Sequence, residues 1–322
     1  MRSCILDALS CKNSSRPPIW LMRQAGRYMK SYQKLRKKHS FIELCLTPEL
    51  AFDVTMQPVD AFDVDAAILF SDILLPLSSL GYTVRFGEKG PTIDGQLSPP
   101  PDIEAALQEK IGATYTAATL LSTSLDRPLI GFAGAPWTLA AYLIEGGSSK
   151  KWSRTKKALQ NNLEEVKALL LLLEPLVTIH LKLQLQAGCS ILQLFDSQNS
   201  LVPPQYFEEL CLAPLKRILS QIEAPLIYFK ADSSSLSTIT HLSLDHTVPL
   251  ENIRDRVPKN IALQGNLDPS LLQDPQRAIS TAKEICACMQ QDPGFIFNLS
   301  GGIPPTTKEE TIKKLVETVQ NL

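Results

Sequence analysis

No G-x-G-x-x-G follows a β-rich run in this chain, and there is no P-loop, no H-E-x-x-H and no G-x-S-x-G. The sequence therefore gives no support for a bound nucleotide, a catalytic zinc or an acyl-enzyme. Charge of one sign is missing too: 32 Lys and Arg face 33 Asp and Glu, a formal net charge of -1. That balance gives no case for nucleic-acid binding, and an anionic ligand would have to be held by local charge. Long apolar runs are absent. The strongest, Ala168 to Leu173, ends at Glu174-Pro175, far short of the ~20 residues that cross a bilayer. It reads as a buried helix, not a membrane span. The N-terminal MRSCILDALSCKN is interrupted by Asp7, so no signal peptide is expected. Seven cysteines, at 4, 11, 45, 189, 211, 286 and 288, are odd in number and scattered, which argues for reduced thiols and a cytoplasmic address. Cys286 and Cys288 are two apart in a helical pattern and so lie on different faces. With no histidine near them in sequence, no structural metal is expected there. No linker and no internal repeat is evident.

What is present is alternation. At 322 residues, 44% hydrophobic and 20% charged, the chain is long enough to bury roughly 75% of its unfolded surface. Short, near-continuously apolar runs occur at 18–22, 66–70, 129–133, 191–195, 226–229, 242–244, 261–264 and 295–299, as expected for parallel strands covered on both faces. Helical patterns separate them. Thr47-Pro48-Glu49 starts one that runs to about Phe62. Others cover about 102–125, 136–145, 153–186 with a break near Asn161-Asn162, 203–222, 250–256, 275–290 and 307–319. Eight such units predict an α/β fold, a (β/α)8 TIM barrel forming a single domain over residues 1–322. Tyr82 to Gly95 reads as a small hairpin inserted after the second strand. The sixth strand, in HLSLDHT, is the weakest, and the serines at 233, 234 and 235 leave room for only a short fifth helix. An open doubly wound sheet is the runner-up, but it usually opens on a Gly-rich turn, and here that turn carries arginines.

In a barrel the residues after each strand form one face, and that face carries the site. Here they are Arg23 and Arg27; Ser71-Asp72; Gly134 to Trp137; Asp196, Ser197 and Gln198; Lys230 and Asp232; Asp245-His246; Gly265-Asn266; and Ser300-Gly301-Gly302. The arginines are the most telling. PIWLMRQAGRY, 18–28, sets two guanidinium forks around Gln24-Ala25-Gly26 at a strand end, which suits a ligand with several carboxylates. Gly26 would let the backbone bend or approach a ligand. Ordinary surface salt bridges are the alternative. Asp72 would emerge from the barrel wall in a poorly solvated place. It caps the next helix, or meets positive charge developing on a ligand, where a pair at ~4 Å and an effective dielectric of ~20 is worth about 4 kcal/mol. Tyr142 is a packed aromatic with a wet hydroxyl or a site residue, and Ser197 a helix cap or a site residue. His180, in an apolar helix, reads as packing. Lys34, Arg36, Lys37 and Lys38 read as a solvated helix face, with Arg36 able to extend the basic rim.

PIWLMRQAGRY and GFAGAPWTLAAYLIEGG, 131–147, resemble the two signature stretches of the uroporphyrinogen decarboxylase family. AAILFSDIL around Asp72, LQLFDS around Ser197 and IALQGNLDP at 261–269 extend the resemblance in the same order. It implies a cytoplasmic homodimer of (β/α)8 barrels, with no cofactor or metal. The implied reaction removes four acetate carboxyls from uroporphyrinogen III to give coproporphyrinogen III, a step toward haem. It also implies an arginine clamp at Arg23 and Arg27, substrate lined by Gln24, Ala25 and Gly26, an essential Asp72, and binding roles for Tyr142 and Ser197. Three departures stand out. Gly301 occupies a position where that family usually has histidine, His246 follows Asp245 where tryptophan is usual, and 232–244 is compressed. Two other functions compete: a zinc-dependent corrinoid methyltransferase on the same fold, which would need clustered histidine and cysteine at strand ends, and a diverged relative that binds porphyrinogens without turnover.

Overall fold

The computed structural model describes residues 4–229, 239 and 241–322, apart from the side chain of Glu251. Among the described residues there are nine strands: β1 (Ala67–Ile68), β2 (Tyr82–Gly87), β3 (Gly90–Gly95), β4 (Leu129–Gly134), β5 (Ile191–Phe195), β6 (Leu226–Phe229), β7 (His241–Ser243), β8 (Ala262–Leu267) and β9 (Phe295–Leu299). Seven form one parallel sheet in the order β1-β4-β5-β6-β7-β8-β9. β2 and β3 pair antiparallel as the predicted hairpin. The helices are α1 (Cys4–Leu9), α2 (Lys30–Arg36), α3 (Phe41–Leu46), α4 (Pro48–Phe62), α5 (Ile103–Ser124), α6 (Pro136–Glu145), α7 (Ser153–Asn161), α8 (Leu163–Gln186), α9 (Pro204–Phe207), α10 (Ala213–Leu219), α11 (Leu250–Arg254), α12 (Pro275–Cys288) and α13 (Glu309–Gln320). Asp102 caps α5 through the Ala105 N–H as its position suggests, whereas Thr47 precedes α4 without a side-chain cap.

The eighth member of the ring is not a regular strand. The run 18–22 pairs only at Ile19, which bridges Phe297 of β9 in parallel. Pro17 and Pro18 have no N–H to give a ladder, and the next donors along the chain go to side chains. The Ile19 N–H donates to Asp65 Oδ2 at 2.7 Å, and the Met22 N–H to Asn298 Oδ1 at 3.0 Å. Two backbone bonds complete the closure: Phe297 N–H to Pro18 O at 2.9 Å, and Asp65 N–H to Ile19 O at 2.8 Å. The sheet thus closes between β9 and the residues leading into β1. Arg16 locks the join by a two-pronged ion pair to Asp65, at 2.7 and 2.8 Å.

Two apolar layers result. Inside the ring, Trp20, Met22, Ala66, Ile130, Ile191, Ile227, Phe229, Ala262 and Ile296 pack together with Ile5, Ala8 and Leu9 of α1. α1 therefore stops the barrel at its N-terminal end. Trp20 Nε1–H donates to Gln264 Oε1 at 2.8 Å, and the Gln264 amide donates to Ser243 Oγ at 2.9 Å, so these three buried polar groups satisfy one another, whereas the Gln193 and Asn298 amide nitrogens find no partner among the described residues. Outside, the helices cover the sheet. His180 of α8 is a packing residue as its setting suggests, bonded to the Tyr115 hydroxyl at 2.8 Å, and burial pushes its pKa down to about 3. The expected break in the long helix falls at Asn162, between α7 and α8. The 203–222 pattern is interrupted by a π-turn over Glu208–Leu212. Lys230, Asp232 and the serines at 233–235 lie outside the described residues.

Closure through one carboxylate has a measurable consequence. Asp65→Ala removes charge-assisted bonds to Ile19 and Arg16 and is expected to lower unfolding free energy by about 2–4 kcal/mol, each such bond being worth roughly 1.5–3. Asp65→Asn, which keeps the acceptor for Ile19, should lose less. Urea titration of both variants reads the difference, and an unchanged midpoint for Asp65→Ala would place the closure elsewhere.

Candidate active site

The turn after Met22 is made differently from the glycine-based bend its sequence suggests. Arg23 itself adopts the left-handed region, φ 53°, whereas Gly26 has ordinary backbone angles and room for a Cβ, with nothing nearer than 3.7 Å. The strain sits on the arginine, a non-glycine residue at positive φ. Its stem lies against Gly302: a Cβ built there would fall 2.6 Å from Arg23 Cδ. Gln24 is buried and turned inward, accepting from the Leu21 N–H and donating to Ala66 O, each at 3.3 Å. Its side chain anchors the turn to the strand below. Ala25 and Gly26 are half-buried, and Arg23 and Arg27 are exposed. Among the described residues neither arginine takes an ion pair.

Asp72 stands four residues past β1 and is partly buried. Its Oδ1 accepts the Leu74 N–H at 2.9 Å, so it caps the next turn, the ordinary role of an aspartate at such a position. Burial nonetheless pushes its pKa up to about 6, against the opposing pull of the Leu74 N–H and the Arg23 charge. The packed shell around the carboxylate governs here, although part of the residue reaches solvent. Tyr142, on α6, shares this neighbourhood: burial first and the Asp72 charge second raise its pKa, while Arg23 and Gln198 lower it. Arg23, Asp72 and Tyr142 are thus in electrostatic contact. Arg27 is not in that set. Its charge acts on Tyr32, as does that of Arg36. Arg36 also donates to His39 O.

Ser197 is half-buried on the loop after β5. It is not a helix cap; the hydroxyl makes no hydrogen bond among the described residues. Its position is fixed by its neighbours, a network in which strand-end reading named Trp137, Asp196 and Gln198 but not Thr138 or Tyr228. Asp196 accepts the Thr138 hydroxyl at 2.8 Å and the Tyr228 hydroxyl at 2.6 Å. The Gln198 N–H donates to Thr138 Oγ1 at 3.2 Å, and Trp137 Nε1–H donates to Gln198 O at 2.8 Å. Burial lifts the Asp196 pKa to about 6, against those two hydroxyls and Cys211. The signal lay in the sequence as two hydroxyl residues, Thr138 and Tyr228, near their strand ends. His246 bonds Ser300 Oγ at 2.9 Å and lies 3.4 Å from Asp245 and 3.9 Å from Asp268. It therefore belongs to the same rim as the Ser300-Gly301-Gly302 loop. Cys286 is buried and Cys288 exposed, on opposite sides of α12 as expected. Among the described residues no three His, Cys, Asp or Glu side chains converge to hold a metal.

An exposed guanidinium, that of Arg23, near a half-buried carboxylate, with a second, that of Arg27, outside that set, can grip anionic arms while the carboxylate stabilises a cation that forms beside it. The model of the family described as uroporphyrinogen decarboxylase matches residues 2–322. The chain belongs to that family. A uroporphyrinogen decarboxylase from Protochlamydia amoebophila is 41% identical over 332 residues, covering 98% of this chain and 91% of the relative. One from Thermodesulfovibrio yellowstonii is 37% identical, covering 99% of this chain and 98% of the relative. Among solved structures, a methyltransferase from Methanosarcina mazei superposes with a TM-score of 0.77 at 17% identity, covering 99% of this chain and 97% of that one. At that identity the likeness concerns the fold alone.

The coupling between Arg23 and Asp72 can be read directly. Because the Arg23 charge lowers the Asp72 pKa, Arg23→Met is expected to move it above about 6, whereas Arg27→Met should leave it in place. Carboxyl carbon NMR titration, with Asp72→Asn to assign the signal, measures both. Equal shifts in the two variants would contradict the placement of Arg27 outside this neighbourhood.

Proposed function

We propose that the protein decarboxylates the four acetate side chains of uroporphyrinogen III, giving coproporphyrinogen III in porphyrin and haem biosynthesis. Family membership across residues 2–322 carries this reading, and the Arg23–Asp72–Tyr142 neighbourhood supports it. Arg23 and Arg27 would bind carboxylate arms of the eightfold anionic substrate, with the half-buried Ala25 and Gly26 and the backbone of Gln24 along the ligand. Tyr142 and Ser197 would hydrogen-bond it from α6 and from the loop after β5. The whole chain, 1–322, would serve as one domain of this kind, as a homodimer in the cytoplasm.

The chemistry follows from charge. A proton adds to the pyrrole carbon next to the one that bears the acetate, leaving the ring cationic with part of the charge on the acetate-bearing carbon. The bond to the carboxylate then breaks, its electron pair flows into the ring and neutralises it, and carbon dioxide departs. A second proton, placed on the exocyclic methylene, gives the methyl group, and loss of the first proton from its ring carbon restores the pyrrole, so one proton is taken up for each carbon dioxide lost. The substrate is its own electron sink, so the reaction asks the protein for a fixed negative charge near the ring. Asp72 would supply it, accepting the pyrrole N–H groups and meeting the positive charge as it forms. A guanidinium holds its proton too tightly to be a good general acid, so Arg23 serves better as a carboxylate grip than as proton donor. Among the described residues no cluster of metal donors favours a zinc-dependent methyl transfer.

Anaerobic incubation with uroporphyrinogen, followed by oxidation and chromatography, should give porphyrins with seven to four carboxylates. Asp72→Asn should fold, since the Leu74 N–H keeps an acceptor, yet lose roughly 100- to 1000-fold in turnover. In the wild type, kcat/KM should fall as pH drops through about 6, where Asp72 takes up a proton. Near-normal turnover in the variant would remove Asp72 from the mechanism, and unchanged substrate with folded wild-type protein would favour a binding protein without turnover.

A further inference from the structure

The segment Ser148–Lys157, SSKKWSRTKK, holds five basic residues and no acidic one in a chain whose net charge is -1. Lys150, Lys151, Arg154, Lys156 and Lys157 are all exposed. None takes an ion pair among the described residues, whereas Arg85, Arg127, Lys167 and Arg217 elsewhere on the surface all do. The carboxylates nearest in the chain are engaged: Glu145 accepts from the Thr155 N–H and hydroxyl at 3.0 and 3.1 Å, Glu164 pairs with Lys167, and Glu165 accepts from the Asn162 amide at 3.0 Å.

This segment also sits where a substrate would arrive. α8 has 24 residues, about 36 Å at 1.5 Å each, and by itself returns the chain to β5. α6 and α7 are therefore additional to the crossover and start directly from the C-terminal end of β4. Trp152, in the middle of the basic run, packs edge-on against Tyr142 with ring centroids 5.1 Å apart, and Tyr142 senses the charges of Asp72 and Arg23. The hairpin is tied to the same place by the Thr92–Gly147 bridge and brings the exposed Lys89 beside it, its carbonyl accepting from Ser148 Oγ at 3.3 Å. Below the run a cavity of about 410 Å³ has Arg154 and Lys157 at its edge, with Glu165 its one carboxylate, over the apolar Ile144, Val166 and Leu169. Charges of one sign over a low-dielectric wall focus a field and raise the local concentration of an oppositely charged solute.

We propose that Ser148–Lys157 is a capture surface for the polycarboxylate substrate, drawing it to the mouth beside Tyr142 before Arg23 and Arg27 take hold. This rests on the decarboxylase reading for the identity of the substrate. The cations act on encounter and not on chemistry, so their removal should alter kcat/KM and spare kcat. The triple variant Lys150→Glu, Lys151→Glu, Lys156→Glu should lose about tenfold or more in kcat/KM at low ionic strength, within the 10- to 1000-fold range of electrostatic steering. kcat should stay within about twofold, and the deficit should close toward 1 M salt, where the screening length falls to about 3 Å. A control, Lys283→Glu, Lys313→Glu, Lys314→Glu, makes the same change in net charge on exposed positions of α12 and α13 and should show little of it. Stopped-flow association of uroporphyrin, the oxidised ring with the same eight carboxylates, reads capture without turnover. Equal losses in both triples, an unchanged kcat/KM and association rate, or a salt-independent loss in kcat would overturn the proposal. A wild type that binds uroporphyrin in a Lys150-dependent manner but converts no uroporphyrinogen would instead sink the decarboxylase reading and leave the surface standing.

Discussion

One carboxylate, that of Asp65, joins the two ends of the sheet. It accepts the Ile19 N–H and pairs with Arg16, in a place where two prolines have removed the backbone donors a ladder would use. The site lies just downstream of both sides of this join. Four residues beyond Ile19 the chain reaches Arg23, and seven beyond Asp65 it reaches Asp72. Holding 19 and 65 together therefore sets the guanidinium and the carboxylate on one rim, close enough that the Arg23 charge alters the ionisation of Asp72. A regular ladder would have served closure equally well. The side-chain version leaves the backbone after Met22 free to turn sharply, and Arg23 takes that turn at positive φ.

The parts of this arrangement that arise from periodicity were legible in the sequence. The buried strands β4, β5 and β6, the helix that begins at Pro48, and the break at Asn162 are all local patterns of apolar spacing, proline and cap residues. The positions of the proposed site residues were legible for the same reason, because strand ends can be counted: Arg23, Asp72 and Ser197 lie shortly past them, and Tyr142 follows on α6. What escaped was long-range. That Asp65 replaces a ladder, that Gln24 turns inward to Ala66, and that Asp196 gathers Thr138 and Tyr228 are partnerships between residues more than thirty positions apart. No spacing rule encodes them. The bend assigned to Gly26 belongs to Arg23 because Gly302, nearly three hundred residues away, leaves space for its stem.

Two desolvated carboxylates, Asp72 and Asp196, are both raised toward pH 6, and they are treated differently by their surroundings. Asp196 is enclosed and takes two hydroxyl donors, so its charge is spent on holding the loop that carries Ser197. Asp72 has one backbone donor and an arginine at longer range, which leaves most of its hydrogen-bonding capacity unspent. Desolvation without full compensation is costly to a folded protein. It is also the condition under which a charge acts most strongly on a ligand, since no water has to be displaced when positive charge appears beside it.

The small helix at the start of the chain has a bearing on traffic. Ile5, Ala8 and Leu9 fill the far end of the ring against Trp20 and Ile296, so that end is closed by apolar side chains. Macrocycle and products would then pass by a doorway at the opposite, strand-end face. Four losses from one bound ring require the ring to be turned within the chamber or to leave and re-enter by the route it came. The basic fringe outside that doorway would act on each return as much as on the first arrival.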